Sequence, residues 1–161
     1  MKNCPRFSGA TVSLALALAV APGLNAATPK APETVAWITG HLPGLIVEGA
    51  VISHSGMDQG CLFIKTGGTT SLRGYYVFKI DLLSLKPGVR FSGDQKNSTA
   101  IDLEASNRGK IVEEVRYMDG STGSVLLSHL PIDCATRPLA EEMQRAFEHL
   151  IGLSAGARAA P

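Results

Sequence analysis

The sequence predicts an α+β domain: a strongly bent antiparallel sheet or half-barrel of six or seven strands, flanked by an N-terminal and a C-terminal amphipathic helix. Three observations predict it. Short β-branched and aromatic runs crowd the middle of the chain, between about residues 47 and 132. Glycine-rich turns separate them at hairpin spacing. Helix-period patterns occur only before and after them, which is the α+β arrangement and not an alternating parallel one.

The first 26 residues precede that domain. Lys2 and Arg6 open the chain, Thr11–Val20 is a short apolar run, Pro22-Gly23 breaks it, and Leu24-Asn25-Ala26 ends on a small residue. This is the layout of a secretory signal peptide. The apolar run is shorter than the ~20 residues a membrane-spanning helix needs. The expectation is an exported protein, periplasmic or extracellular, with no integral membrane span. The chain as a whole carries 15 basic and 14 acidic residues. The leader holds two of the basic residues and no acid, so residues 27–161 carry a formal charge of −1. Charge so balanced leaves no electrostatic footprint for nucleic acid or an anionic membrane.

Residues 27–32, Ala-Thr-Pro-Lys-Ala-Pro, read as a linker. A single domain is expected over 33–153, and 154–161 as a fraying tail. Pro32 suits a first helical turn and Pro43-Gly44 a stop, giving a helix over Pro32–Leu42. Thr34, Val35, Trp37, Ile38, His41 and Leu42 share its broad buried face. Strands are expected at Val47–Ser55, Cys61–Thr66 and Gly74–Asp81, with Tyr76, Phe78 and Ile80 on one face of the third. Leu82–Leu85 reads as a connecting turn and Val89–Phe91 as a brief strand. In Thr99–Ala105, Ile101, Leu103 and Ala105 alternate with Asp102 and Glu104, the signature of a half-buried strand. Asn107-Arg108-Gly109 turns the chain into Lys110–Met118, with Ile111, Val115 and Tyr117 on one face. A further turn at Asp119–Gly123 leads to a last strand, Ser124–Ile132. The closing helix begins at Thr136 or Arg137 and has Pro138 in its first turn. Leu139, Met143, Ala146, Phe147, Leu150 and Ile151 form its apolar stripe. Glu141, Arg145, Glu148 and His149 face away, with Glu141 and Arg145 as an i,i+4 pair.

Thr34-Val-Ala-Trp-Ile38, Tyr76-Val-Phe-Lys-Ile-Asp-Leu82 and Ala140–Ile151 sit at the corresponding edges of this layout. The chain thereby resembles small exported bacterial domains of unknown function with a pleckstrin-homology-like helix/sheet/helix order. That resemblance implies a shape and no chemistry. Phosphoinositide recognition, familiar from that superfold, needs a basic first hairpin loop, and Ser55-Gly-Met-Asp-Gln-Gly60 has an acid and no base.

Candidate chemistry is sparse. Cys4 belongs to the leader, which leaves Cys61 and Cys134. In an oxidising compartment this pair is expected to form a disulfide, with two buried free thiols as the alternative. His54 and His129 are the weak metal candidates, since a Cys2His2 zinc site would need both to converge with both cysteines. Neither lies in a tight ligand spacing, and a disulfide would consume the sulfurs, so no metal or cofactor is expected. A Cys–His nucleophilic pair would need a free thiol of lowered pKa. Serine chemistry lacks a G-x-S-x-G elbow. Asp102 and Glu104, with Glu113-Glu114, read as a solvated sheet face salt-bridged to Arg108, Lys110 or Arg116. Thr66–Ser71 and Asp119–Ser124 carry no P-loop ending.

The expectation is therefore a non-enzymatic exported domain that binds a protein, a peptide or a small apolar ligand. Trp37, Tyr75 and Tyr76 are the weak ligand-contact candidates. The alternatives are a small hydrolase or metal-dependent enzyme using His54 and His129, and a structural subunit of an envelope assembly held by a sheet edge.

Overall fold

The structure is a computed structural model that describes residues 30–58, 61–68, 74–92, 98–106 and 111–159. The expected leader at 1–26, Cys4, most of the 27–32 linker and the Asn107-Arg108-Gly109 turn lie outside those residues. Helix α1 (Ala31–His41) is followed by β1 (Ile46–Val47), β2 (Ala50–Asp58), β3 (Cys61–Thr66) and β4 (Gly74–Ile80). A 3-10 turn (Leu82–Ser84) leads to β5 (Arg90–Phe91) and β6 (Ala100–Glu104). Then come β7 (Ile111–Tyr117), β8 (Thr122–Leu127), β9 (His129–Asp133) and helix α2 (Arg137–Ala159). The nine strands form one curled antiparallel sheet in the order β5-β6-β9-β1-β2-β3-β4-β7-β8.

The α+β class and the flanking helices agree with the sequence reading, while the strand count and the pleckstrin-homology-like layout differ in detail. Two expected strands are each divided. Glu48 (φ 49°) and Gly49 (φ 71°) both take the left-handed conformation, which makes a two-residue hairpin between Val47 and Ala50. Glutamate is an unfavoured residue there, so the turn is invisible to a propensity reading. The expected last strand is interrupted at Ser128. Val125 and Leu127 lie on the same sheet face as Glu113 and Ile111, whereas beyond Ser128 it is Leu130 and Ile132 that are buried. One extra residue thus keeps both halves facing the core, as a bulge does. Through it β6 and β7 lie end to end along β9 and β8. Glu104 is opposite His129, Ile111 is opposite Leu127, and Ala105 N donates to Ser128 O at 2.8 Å.

The concave face and the helices share one core. Leu62, Ile64, Phe78, Ile80, Ile101, Leu103, Ile111, Leu130 and Ile132 meet Ile38 and Leu42 from α1 and Ala140, Met143, Phe147 and Leu150 from α2. Phe147 and Phe78 are fully buried, each side chain contributing on the order of 2 kcal/mol of transfer free energy. The α2 stripe is the one its periodicity predicts. The pair expected at Glu141–Arg145 is instead Arg137–Glu141, at 2.9 Å. Arg137 also lies over the Phe91 ring at 3.6 Å, and Gln144 Nε2 donates to Val89 O at 2.7 Å. These contacts fasten α2 across the β5 side of the sheet. The α2 backbone continues to Ala159, through residues expected to form a tail.

Gly74 and Gly40 make a test of this packing. A Cβ on Gly74 would fall on the Arg116 carbonyl across the β4–β7 ladder, whereas one on Gly40 in α1 meets nothing within 4 Å. Gly74→Ala should lower unfolding stability by roughly 1–3 kcal/mol. Gly40→Ala should raise it by up to ~1 kcal/mol. Urea unfolding curves of the two variants check both signs.

Candidate functional site

A ligand-sized groove lies between the two helices. Glu33, Thr34 and Trp37 from α1 face Glu142, Arg145, Ala146 and His149 from α2 across a groove of about 580 Å³. Thr34 is buried at the α1 side of the groove and Ala146 is half-buried on α2; their small side chains leave room where two larger ones would close it. Trp37 is half-buried and stacks on His41, with ring centroids 4.1 Å apart and planes 19° apart. His41 Nδ1 lies 2.8 Å from Trp37 O, which holds the imidazole in that stack. Charges of both signs rim the groove, Glu33 and Glu142 against Arg145, with the His149 imidazole beside them. Glu33 also accepts from the Lys30 backbone N–H at 3.1 Å, so its carboxylate is held at the first turn of α1.

The three aromatic candidates do not meet. Alternation along β4 puts Tyr75 on the convex face and Tyr76 on the concave face, and Trp37 is on α1. Lys65 Nζ sits 4.4 Å from the Tyr75 ring centroid, giving an exposed cation–π contact. Tyr76 stacks against Phe78 at 5.8 Å, and its hydroxyl pKa is raised by burial and by Glu113, Glu48 and Tyr117.

His54 and His129 are also kept apart. Val51 and Asp133 lie level, each opposite Ile46. His54 is three positions beyond Val51 in one direction, and His129 four positions from Asp133 in the other. At ~3.3 Å per residue the two rings are separated by roughly 20 Å along the sheet. His54 leans on Phe63, with centroids 5.5 Å apart. His129 Nδ1 lies 2.9 Å from Asp102 Oδ2 and its Nε2 lies 4.0 Å from Glu104 Oε1. Lys86 pairs with Glu104 and holds that carboxylate below its usual pKa. Among the described residues no group of three or more His, Cys, Asp or Glu side chains could hold a metal ion.

The expected Cys61–Cys134 disulfide is not formed in this structure. Cys134 is a free, fully buried thiol where β9 turns into α2. Cys61 begins β3, opposite Asp58 in the register with β2. Burial, then the Asp133 carboxylate, pushes the Cys134 thiol up to about 11. Such a thiol is a core hydrophobe and a poor nucleophile.

Two placements escaped the sequence reading. His149, expected on a solvent face, is half-buried and lines the groove, because α1 covers that side of α2. Glu113, expected on a solvated face, projects inward between buried Ile111 and Val115, opposite Phe78. The signal for Glu113 was present: it falls in step with Ile111, Val115 and Tyr117. Burial, and then Glu48, raise its pKa. Glu114, on the other face, pairs with Lys79 at 3.4 Å and Arg116 at 2.8 Å.

The sequence matches no family model, and neither the curated proteins nor the solved structures include a match to it. No described helix is long and apolar enough to cross a membrane.

Two expectations follow. Native protein should leave Cys134 unmodified by a thiol reagent that labels it in urea, read by mass spectrometry of the Cys134 peptide. Because the folded-state pKa of Glu113 is raised, its ionisation costs stability. The favourable state exists below the unfolded-state value and is lost as pH rises through the folded-state one. Glu113→Gln should therefore melt higher than the parent at about pH 7, and the difference should close by about pH 4, where an ordinary glutamate protonates. Thermal melts at both pH values test this.

Proposed function

We propose that this chain is an exported, non-enzymatic binding domain of the bacterial envelope and that the α1–α2 groove seats its ligand, a small apolar molecule or an apolar peptide side chain. The groove carries this reading. Its volume of about 580 Å³ lies in the range of small-molecule sites, and such sites favour clefts between helices. Trp37 offers a flat apolar wall, and the mixed charges at the rim can orient a polar end of the ligand. The leader-like first 26 residues support export. The hydrolase alternative has the His129–Asp102 contact in its favour, but His54 is remote from it.

Trp37 is the only tryptophan in the chain, so its emission reports on the groove. Titration of the periplasm-recovered protein with 1-anilinonaphthalene-8-sulfonate, a flat apolar probe with one anionic group, should quench Trp37 saturably at one site per chain. Ala146→Phe, which fills the groove, should weaken the response at least about tenfold while leaving the urea unfolding curve cooperative. Unchanged Trp37 emission, or equal binding to the filled variant, overturns the assignment.

A further inference from the structure

The two edges of the sheet are built differently. β5 is two residues long, bears the exposed Arg90, and is tied to α2 through Val89 and Gln144. β8 is six residues long and terminal in the strand order. From Gly120 to Ser128 the sequence is Gly-Ser-Thr-Gly-Ser-Val-Leu-Leu-Ser, with no charge and no proline. Edge strands usually carry a lysine, a proline or a bulge to prevent pairing with another chain. Within Thr122–Leu127 β8 carries none of these, the bulge-like Ser128 lying just beyond it, and Val125 and Leu126 are 53% and 55% exposed, one on each face.

The outward backbone groups can be identified. Tyr117 N donates to Ser121 O, so Ser121 faces β7. With period two, Gly123, Val125 and Leu127 also bond to β7, and Thr122, Ser124 and Leu126 present N–H and C=O groups away from the sheet. We propose that a second copy of this chain occupies this edge, β8 pairing antiparallel with β8 of the other copy about a two-fold axis at Ser124. Self-complementarity favours this occupant. Centring on Ser124 sets each Leu126 opposite a Thr122 and each Val125 opposite a Gly123, so large residues face small ones. Gly123 has open space above its Cα, since a Cβ built there meets nothing within 4 Å. Val125 of the other copy fills that notch and reaches Val115 beyond it. The three outward pairs, at two bonds each, would make about six hydrogen bonds, and no like charges are brought opposite. A seam of this size predicts a reversible dimer, one that forms at micromolar concentrations or above.

Sedimentation velocity across a wide concentration range should show a monomer–dimer equilibrium. Ser124→Pro deletes an outward N–H and leaves the β7 ladder intact, so it should abolish the dimer. Leu126→Lys sets a charge in the seam and provides an independent variant should the proline perturb folding. Ser124→Cys should give a covalent dimer linked 124 to 124 under mild oxidation, because directly opposed hydrogen-bonded residues lie within disulfide range. A monomer at every concentration overturns the proposal. So does a dimer that survives both Ser124→Pro and Leu126→Lys, or a Ser124→Cys protein that stays unlinked.

Discussion

The concave face of the sheet is apolar along almost its whole length, and covering it organises the rest of the molecule. Phe78, Ile80, Ile64, Leu103 and Ile132 share one core with α1 and α2, and Met143 and Phe147 of α2 are themselves fully buried in it. Burying a stripe of this kind is the main source of helix stability in proteins. It also explains the corner before α2. Ala135 takes a left-handed φ of 62°, unfavourable for alanine, with its N–H accepted by Asp133 Oδ1 at 2.9 Å. The cost of that conformation, of order 1–2 kcal/mol, is small beside the apolar surface that the turn brings into place.

The sequence was legible wherever one periodicity governed an element. The alternation at Ile101–Ala105 and at Tyr76–Ile80 and the stripe from Leu139 to Ile151 each follow from one buried face, and the structure keeps them. Legibility failed where one residue changed the phase. Ser128 adds a position that shifts the parity between β8 and β9, and Glu48 occupies a turn that composition assigns to asparagine or glycine. It failed again where burial depends on a distant element. His149 looks solvated on a helical wheel until α1 is laid beside it. Cys61 and Cys134 form an even pair on paper, yet Cys134 is a free thiol in the core.

Part of the candidate site could be read in advance and part could not. Trp37 was marked by being the sole tryptophan on a helix with a wide buried face. Its partners across the groove come from residues more than a hundred positions away, and a periodicity has no view of them. The aromatic run at Tyr75–Phe78 misleads for the opposite reason. Neighbours in a strand point to opposite faces, so adjacency in sequence there means separation in space.

The groove joins the first described helix to the last, and this has a consequence for when it exists. Its two walls are contacts of very high sequence separation, which chains form late because the loop closure must come first. A chain that lacks α2, or is still emerging, has the sheet strands but no second wall for the groove. A ligand of the proposed site would bind only the docked pair, so its binding free energy would add to the closure that joins the two helices.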